Sequence, residues 1–258
     1  MIAPALLLPR VVALVDEAAA VVMDHYQGDV AVARKADASP VTAADEAAER
    51  VLAEGLRALT PEFAVVAEEE RARGASPEPD AVGEFFWLVD PLDGTKEFIK
   101  QNGEFTLTVG LIQAGRPILG VVAAPAIGKL WTGAAGHGAS LREGVAVRAI
   151  AARTVPATGP VAMVSRSHGT PEEEDFLAAE GTAERSMAGS SLKFCRIAEG
   201  AADLYPRFGR TMEWDTAAAH AVLAAAGGRV TTRDGLPLGY AKPDFANDHG
   251  FVARGRES

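Results

Sequence analysis

Between Phe85 and Thr95 a run of strand-forming residues, Phe85-Phe86-Trp87-Leu88-Val89, passes without a spacer into Asp90-Pro91-Leu92-Asp93-Gly94-Thr95. The apolar run reads as a strand, so Asp90 and Asp93 are delivered at its carboxyl end. Pro91 stiffens the turn between them, and Gly94 and Thr95 open a helix whose free N–H groups can cradle phosphate. Two carboxylates this close repel each other unless a cation stands between them. The Leu92 carbonyl, left without a strand partner, can join them as an oxygen ligand for a hard cation. A metal site and a phosphate site would then adjoin. A plain turn followed by a helix cap has the same residues, so the reading needs further acids to support it.

The chain supplies them. Phe63 to Ala67 is short, apolar and strand-like, and it runs into Glu68, Glu69 and Glu70. Trp214-Asp215-Thr216 puts another acid at the start of a helix late in the chain. Taken singly, the first is a solvated charge run and the second a helix cap; beside Asp90 and Asp93 they make a cluster. Asp45 falls in the first turn of a helix capped by Thr42, with an apolar stripe through Ala48, Val51, Leu52, Leu56 and Leu59.

Helical spacing predicts a further core helix over Leu7 to Tyr26. Arg71 to Glu84 mixes Gly, Pro and charge without periodicity and reads as an exposed loop. A short helix near Lys96 to Lys100 follows, then a hairpin of Phe105–Ile112 and Ile118–Ala123 around Gln113-Ala114-Gly115-Arg116. Leu130 to Thr132, the Gly-rich stretch Gly133 to Gly144 and a strand near Val147 complete an α+β unit, residues 1–150. From Val161 the pattern becomes strand (to Ser165), helix (Pro171–Glu180), helix (Ser190–Glu199), strand (Asp203–Tyr205), helix (Thr216–Ala226) and strand (Arg229–Thr232). That alternation predicts a layered α/β unit, residues 151–258. A length of 258 residues suits two tightly joined units.

The net charge of −10 argues against wrapping a duplex nucleic acid polymer, which requires a basic face. It also means that an anionic substrate needs a metal ion or a local Arg and Lys cluster to reverse the sign. Pro9 and Arg10 interrupt the apolar start, Asp16 and Glu17 follow it, and no segment reaches the roughly 20 apolar residues of a membrane span. The single Cys195 fits a reducing cytoplasm as a small buried hydrophobe. These features point to a cytoplasmic location; attachment to the inner membrane face is an alternative, and a monomer or homodimer is expected, neither of which the sequence fixes.

The acidic pair after a strand, the Asp-Pro-x-Asp-Gly-Thr turn and the late Trp-Asp, in that order, resemble the signature of the inositol monophosphatase-like, lithium-sensitive metal phosphatases. Lys35 to Asp45, Asp93 to Ile99, Gly189 to Phe194 and Leu204 to Phe208 look most like its bacterial 3′(2′),5′-bisphosphate nucleotidase branch. Inositol phosphatases tend to carry Thr-Asn at Lys96-Glu97, and Ala67 departs from the Ser common before the Glu pair. The likeness covers nearly the whole chain. It implies an αβαβα layered sandwich, α+β passing into α/β, of the inositol monophosphatase and fructose-1,6-bisphosphatase type. It implies that Glu68, Asp90, Asp93, Asp215 and the Leu92 carbonyl hold two or three magnesium ions. Asp45 and Thr95, with Glu68, would position and activate the attacking water, and Gly94 and Thr95 would hold the phosphoryl group. Ser190, Lys193 and Arg207 would contact the nucleotide from outside the catalytic cluster. His168 would join them, although an exposed loop histidine fits its position equally well. The reaction implied is hydrolysis of adenosine 3′,5′-bisphosphate to AMP and phosphate, with activity on its sulfated analogue, within sulfate assimilation. Inositol monophosphate or fructose 1,6-bisphosphate is the alternative substrate, and a non-catalytic phosphate-binding module is disfavoured by the full set of acids.

Overall fold

The computed structural model describes residues 4–27, 32–34, 40–166 and 169–257. His168 and the run Lys35 to Ser39 lie outside the described residues. In chain order the elements are α1 (Pro4–Tyr26), β1 (Val32–Arg34), β2 (Pro40–Thr42), α2 (Ala43–Leu59), β3 (Ala64–Ala67), α3 (Glu68–Ala72), β4 (Phe85–Asp93), α4 (Thr95–Ile99), β5 (Thr106–Gln113), β6 (Arg116–Ala124), β7 (Lys129–Ala134), β8 (Gly138–Glu143) and β9 (Ala146–Ile150). They continue as β10 (Val161–Ser165), α5 (Pro171–Ala179), β11 (Glu184–Ala188), α6 (Leu192–Ala198), β12 (Leu204–Arg207), β13 (Thr211–Met212), α7 (Ala217–Ala225), β14 (Arg229–Thr231), β15 (Ala246–Asn247) and β16 (Phe251–Arg254).

Strands β3 to β9 form a seven-stranded sheet in sequential order. Only the β3–β4 pair is parallel within it. The hairpin between β5 and β6 turns on Ala114 and Gly115, at φ 46 and 73, the left-handed pair that a two-residue turn requires. One face of this sheet is apolar at alternate positions, Val89, Leu107, Val109 and Val121 among them, and packs with Val11, Val15, Leu52 and Leu56 of α1 and α2. The other face, through Val122, Trp131 and Leu141, shares a core with α6, α7 and the second sheet. That sheet has five strands in the order β11-β10-β12-β16-β14. Leu177 of α5 packs with Leu204 and Val252 on its outer face. The layers therefore run helix, sheet, helix, sheet, helix, as the resemblance implies.

What sets the central layer is a row of glycines. Gly110, Gly120 and Gly133 are directly paired across β5, β6 and β7. A Cβ at Gly120 would lie 2.0 Å from the Ala218 carbonyl oxygen, and one at Gly133 would lie 2.6 Å from Val222 Cα. The sheet thus has a shallow trough into which the small residues of α7 settle, closer than side chains on both surfaces would permit. The Thr108 hydroxyl donates to the Trp214 carbonyl at 3.1 Å just before that helix begins. Asp215 is brought by this packing to the carboxyl end of β4.

Several boundaries differ from expectation. Strand β4 continues through Asp93 because Thr108 and Thr106 of β5 pair with Asp90 and Asp93 across a register shift. Of the expected loop, residues 71 and 72 belong to α3, Pro79–Ala81 forms a single 3-10 turn, and Val82 is buried. The Gly-rich stretch holds β8. Strands β1, β2, β11, β13, β15 and β16 were not foreseen, being short or, like β11, exposed at a sheet edge.

Candidate active site

Each aspartate of the cluster is aimed by a main-chain N–H group. Thr42 caps α2, and its N–H and hydroxyl both donate to Asp45 Oδ2, at 2.7 and 2.6 Å. Leu92 N–H donates to Asp90 Oδ1 at 2.9 Å, bending the chain back at the register shift. Asp93 Oδ2 accepts from Ser191 N–H at 2.6 Å and from the Thr106 hydroxyl at 3.2 Å. Met212 N–H donates to Asp215 Oδ2 at 2.8 Å. Glu68 opens α3, whose next residue donates its N–H to the buried Glu49 carboxylate at 2.6 Å. Glu49 is itself paired with Arg73 at 3.0 Å, and burial raises its pKa to about 7. Sequence reasoning did not single out Glu49; its place on the α2 stripe side gave no sign of a partner at Glu69.

A cleft of about 290 Å³ lies over this cluster. Glu68, Asp93, Gly94, Thr95 and Asp215 line it, together with Ser190, Lys193 and Arg207. Asp45, Asp90 and Leu92 stand behind its wall. The Thr95 hydroxyl reaches both Asp45 Oδ1 and the Leu92 carbonyl at 3.3 Å. Burial, with the fields of Glu68, Asp93 and Asp215, pushes Asp90 well above the usual carboxylate range. Asp215 is pushed up by burial and by Asp93 and Glu68, opposed by the Met212 amide and Arg207. Asp93 rises to about 6 through burial, with Lys193 as the main opposing charge.

Among the described residues no group of three or more Asp, Glu, His or Cys side chains stands ready to hold a metal ion. The donor set is nevertheless one a hard cation would suit: oxygen only, mutually repelling and withdrawn from water. The four carboxylates Glu68, Asp90, Asp93 and Asp215 and the Leu92 carbonyl are the groups that could hold it.

The loop before α6 joins this cluster to the opposite wall. Ser190 takes a left-handed conformation, φ 40, and its hydroxyl donates to the Glu104 carbonyl at 3.0 Å. That turn aims its own carbonyl at Lys193, whose ammonium donates to Ser190 O at 2.6 Å and to Ala188 O at 3.2 Å. Lys193 is buried, over the Tyr205 ring, and burial lowers its pKa to about 8. Lys193 and Arg207, expected as substrate contacts beside the catalytic cluster, stand close to it. Both line the same cleft as the acids, and their fields act on Asp93 and Asp215. Lys96 and Glu97, the pair that sets the nucleotidase branch apart in the sequence, also line it, as do Arg166 and Arg210, which were not singled out as site residues. Arg166 and Arg210 lie one and three residues beyond predicted contacts or strand ends, and proximity to those ends was the available signal.

Comparison with known proteins identifies the family. The sequence model of the inositol monophosphatase family matches residues 7–256. The 3′(2′),5′-bisphosphate nucleotidase CysQ of Escherichia coli K12 is 46% identical over 251 residues, covering 95% of this chain and 98% of that protein. The nucleotidase of the same name from Buchnera aphidicola is 39% identical, covering 96% of this chain and 93% of that one. Among solved structures, CysQ from Bacteroides thetaiotaomicron superposes with a TM-score of 0.82 at 34% identity, covering 96% of this chain and 97% of that chain. The inositol monophosphatase from Anabaena gives 0.76 at 27% identity, with 98% and 91% covered. With the family model spanning almost the full length and the acids gathered at one cleft, the chain belongs to the inositol monophosphatase family.

Proposed function

We propose that this enzyme is a magnesium-dependent 3′(2′),5′-bisphosphate nucleotidase that hydrolyses adenosine 3′,5′-bisphosphate to AMP and phosphate, acting also on its sulfated analogue. One observation carries the reading: a single cleft is lined both by the acids Glu68, Asp93 and Asp215 and by cations, Lys193 on α6, Arg207 on β12 and Arg210 just beyond it. A substrate with two phosphates meets both needs, one group at the acids through cations and the other at the basic side chains. The CysQ proteins it resembles carry the same activity in their names.

In this reading Glu68, Asp90, Asp93, Asp215 and the Leu92 carbonyl hold magnesium. When bound, magnesium neutralises phosphoryl charge and acidifies water for attack. Gly94, at φ 95, turns the chain so that its amide and that of Thr95 face the cleft and hold the phosphoryl oxygens. The Thr95 hydroxyl donates toward Asp45 and offers its lone pairs to the attacking water, so Asp45 is the final acceptor of the proton. Asp45 is buried and held by two donors from Thr42, which fixes the orientation of this relay. Ser190, Lys193 and Arg207 bind the part of the nucleotide that is not cleaved. A cytoplasmic reaction is part of this proposal; the structure adds only that no helix of the described residues is long and apolar enough to cross a membrane.

Phosphate release from adenosine 3′,5′-bisphosphate, inositol monophosphate and fructose 1,6-bisphosphate, each with and without magnesium, tests the proposal. The nucleotide is expected to have the highest kcat/KM, and only with the metal present. A clear preference for inositol monophosphate would replace the nucleotidase with a sugar phosphatase on the same fold.

A further inference from the structure

Five cationic side chains line the cleft: Lys96, Arg166, Lys193, Arg207 and Arg210. Lys193 donates two of its three N–H groups to carbonyls, and Arg210 donates to Asp248 at 2.7 Å. Arg166 is placed differently. It follows directly on β10, and Glu104 grips it from the segment before β5 by two bonds, Nη2 to Oε1 at 2.7 Å and Nε to Oε2 at 3.1 Å. Glu104 Oε2 also accepts from Gly189 N–H at 2.9 Å, while the Glu104 carbonyl takes the Ser190 hydroxyl. A single residue thus fixes both Arg166 and the loop bearing Ser190.

The pair is a poor staple. Arg166 is 43% exposed and Glu104 24%, and exposed ion pairs add little to stability. Its geometry serves a different end. The Nε and Nη2 edge is taken by Glu104, and among the described residues Nη1 carries no hydrogen bond. A guanidinium held by one edge keeps its charge and remaining donors for a second oxyanion, with its rotamer already chosen. Any approaching anion must also overcome a net charge of −10 and the acids on the far wall. A fixed cation at this wall is therefore where discrimination between one and two anionic groups can be made.

Resting on the nucleotidase reading, we infer that Arg166 is a specificity-determining residue that rewards a second phosphate on the substrate, with Glu104 as its positioning residue. Glu104 sets the guanidinium facing the cleft and, through Gly189 and Ser190, keeps it in register with the loop that reaches Asp93. The second phosphate adds itself to the free edge of Arg166, and no bond to Glu104 has to break.

The experiment measures kcat and KM with magnesium for adenosine 3′,5′-bisphosphate and adenosine 3′-monophosphate, in wild type, Arg166→Ala, Arg166→Lys and Glu104→Gln. The quantity read is the ratio of kcat/KM for the bisphosphate to that for the monophosphate. Arg166→Ala is expected to lower it by roughly tenfold to 100-fold, the span of a charge-assisted hydrogen bond, mainly through KM. Arg166→Lys should restore part of it, since charge returns without the planar fork. Glu104→Gln, whose amide oxygen can still accept from Gly189, should lower the ratio less than Arg166→Ala does. If the ratio stays at its wild-type value in Arg166→Ala, or in Arg166→Lys and Glu104→Gln should the alanine variant fail to fold, the inference is wrong whatever the absolute losses. A wild type with a ratio near one overturns it as well, while leaving the nucleotidase reading intact. Release of phosphate from inositol monophosphate but from neither adenosine ester overturns that reading and the inference with it.

Discussion

Thr95 has one hydroxyl proton and two acceptors, Asp45 Oδ1 and the Leu92 carbonyl, both at 3.3 Å. Long bonds of this kind leave the hydroxyl able to turn toward a third partner. If that partner is the attacking water, Thr95→Ala removes a step of proton transfer while its backbone N–H survives. The expected result is a fall in kcat of about 10²–10⁴-fold with a smaller change in KM, and Thr95→Ser should recover most of it. A change confined to KM would make Thr95 a binding residue. At this scale the acids of the turn were legible because strand, turn and helix start follow one another without interruption from Phe85 to Thr95. Glu49 and Glu104 were not legible. Their partners, Glu69 and Gly189, lie 20 and 85 positions away, and nothing local marks a carboxylate that will meet a distant amide.

Helix α7 was readable as a helix, and β5, β6 and β7 as strands, but the reason they meet was hidden. Gly110, Gly120 and Gly133 form a row only when the registers of two hairpin pairs are known. Filling the row is costly. In Gly120→Ala the new methyl would enter the space of the Ala218 carbonyl, 2.0 Å away, and backbone has no rotamer by which to yield. Overpacking of this kind costs about 1–3 kcal/mol and sometimes more. Denaturant unfolding should therefore show a lower midpoint with an unchanged slope. Turnover should fall too, because Asp215 lies just before the Thr216 cap of α7 and moves with it. Full activity at wild-type stability would mean that α7 does not depend on the trough for its position. Strands β11 and β16 escaped prediction for a different reason: Glu184–Met187 is exposed along a sheet edge, and β16 is four residues long near the end of the chain.

In the molecule as a whole, the acids gather where the seven-stranded sheet, α2, α3 and the start of α7 converge. Their repulsion opposes folding unless a cation relieves it, so magnesium should act on stability as well as on rate. A ligand that binds only the folded state at about 100 times its Kd adds about 2.7 kcal/mol. Adding magnesium to chelator-treated protein should thus raise Tm, and Asp93→Asn, which deletes one of the charges, should reduce both the rise and the turnover. An equal rise in wild type and variant would place the ion elsewhere. The layered architecture was legible from the alternation of elements after Val161; the approach of Lys193 and Arg207 to the acids was not, since it depends on how closely the two sheets stack.

The four aspartates share a feature with a longer reach. Asp45, Asp90, Asp93 and Asp215 are each oriented by a peptide N–H, from Thr42, Leu92, Ser191 and Met212. Every residue but proline brings that donor with it. Drift in the sequence can replace the side chains at positions 191 and 212 without silencing the bonds that aim Asp93 and Asp215, so a lineage can vary what surrounds the acids while their bearing is inherited with the path of the chain.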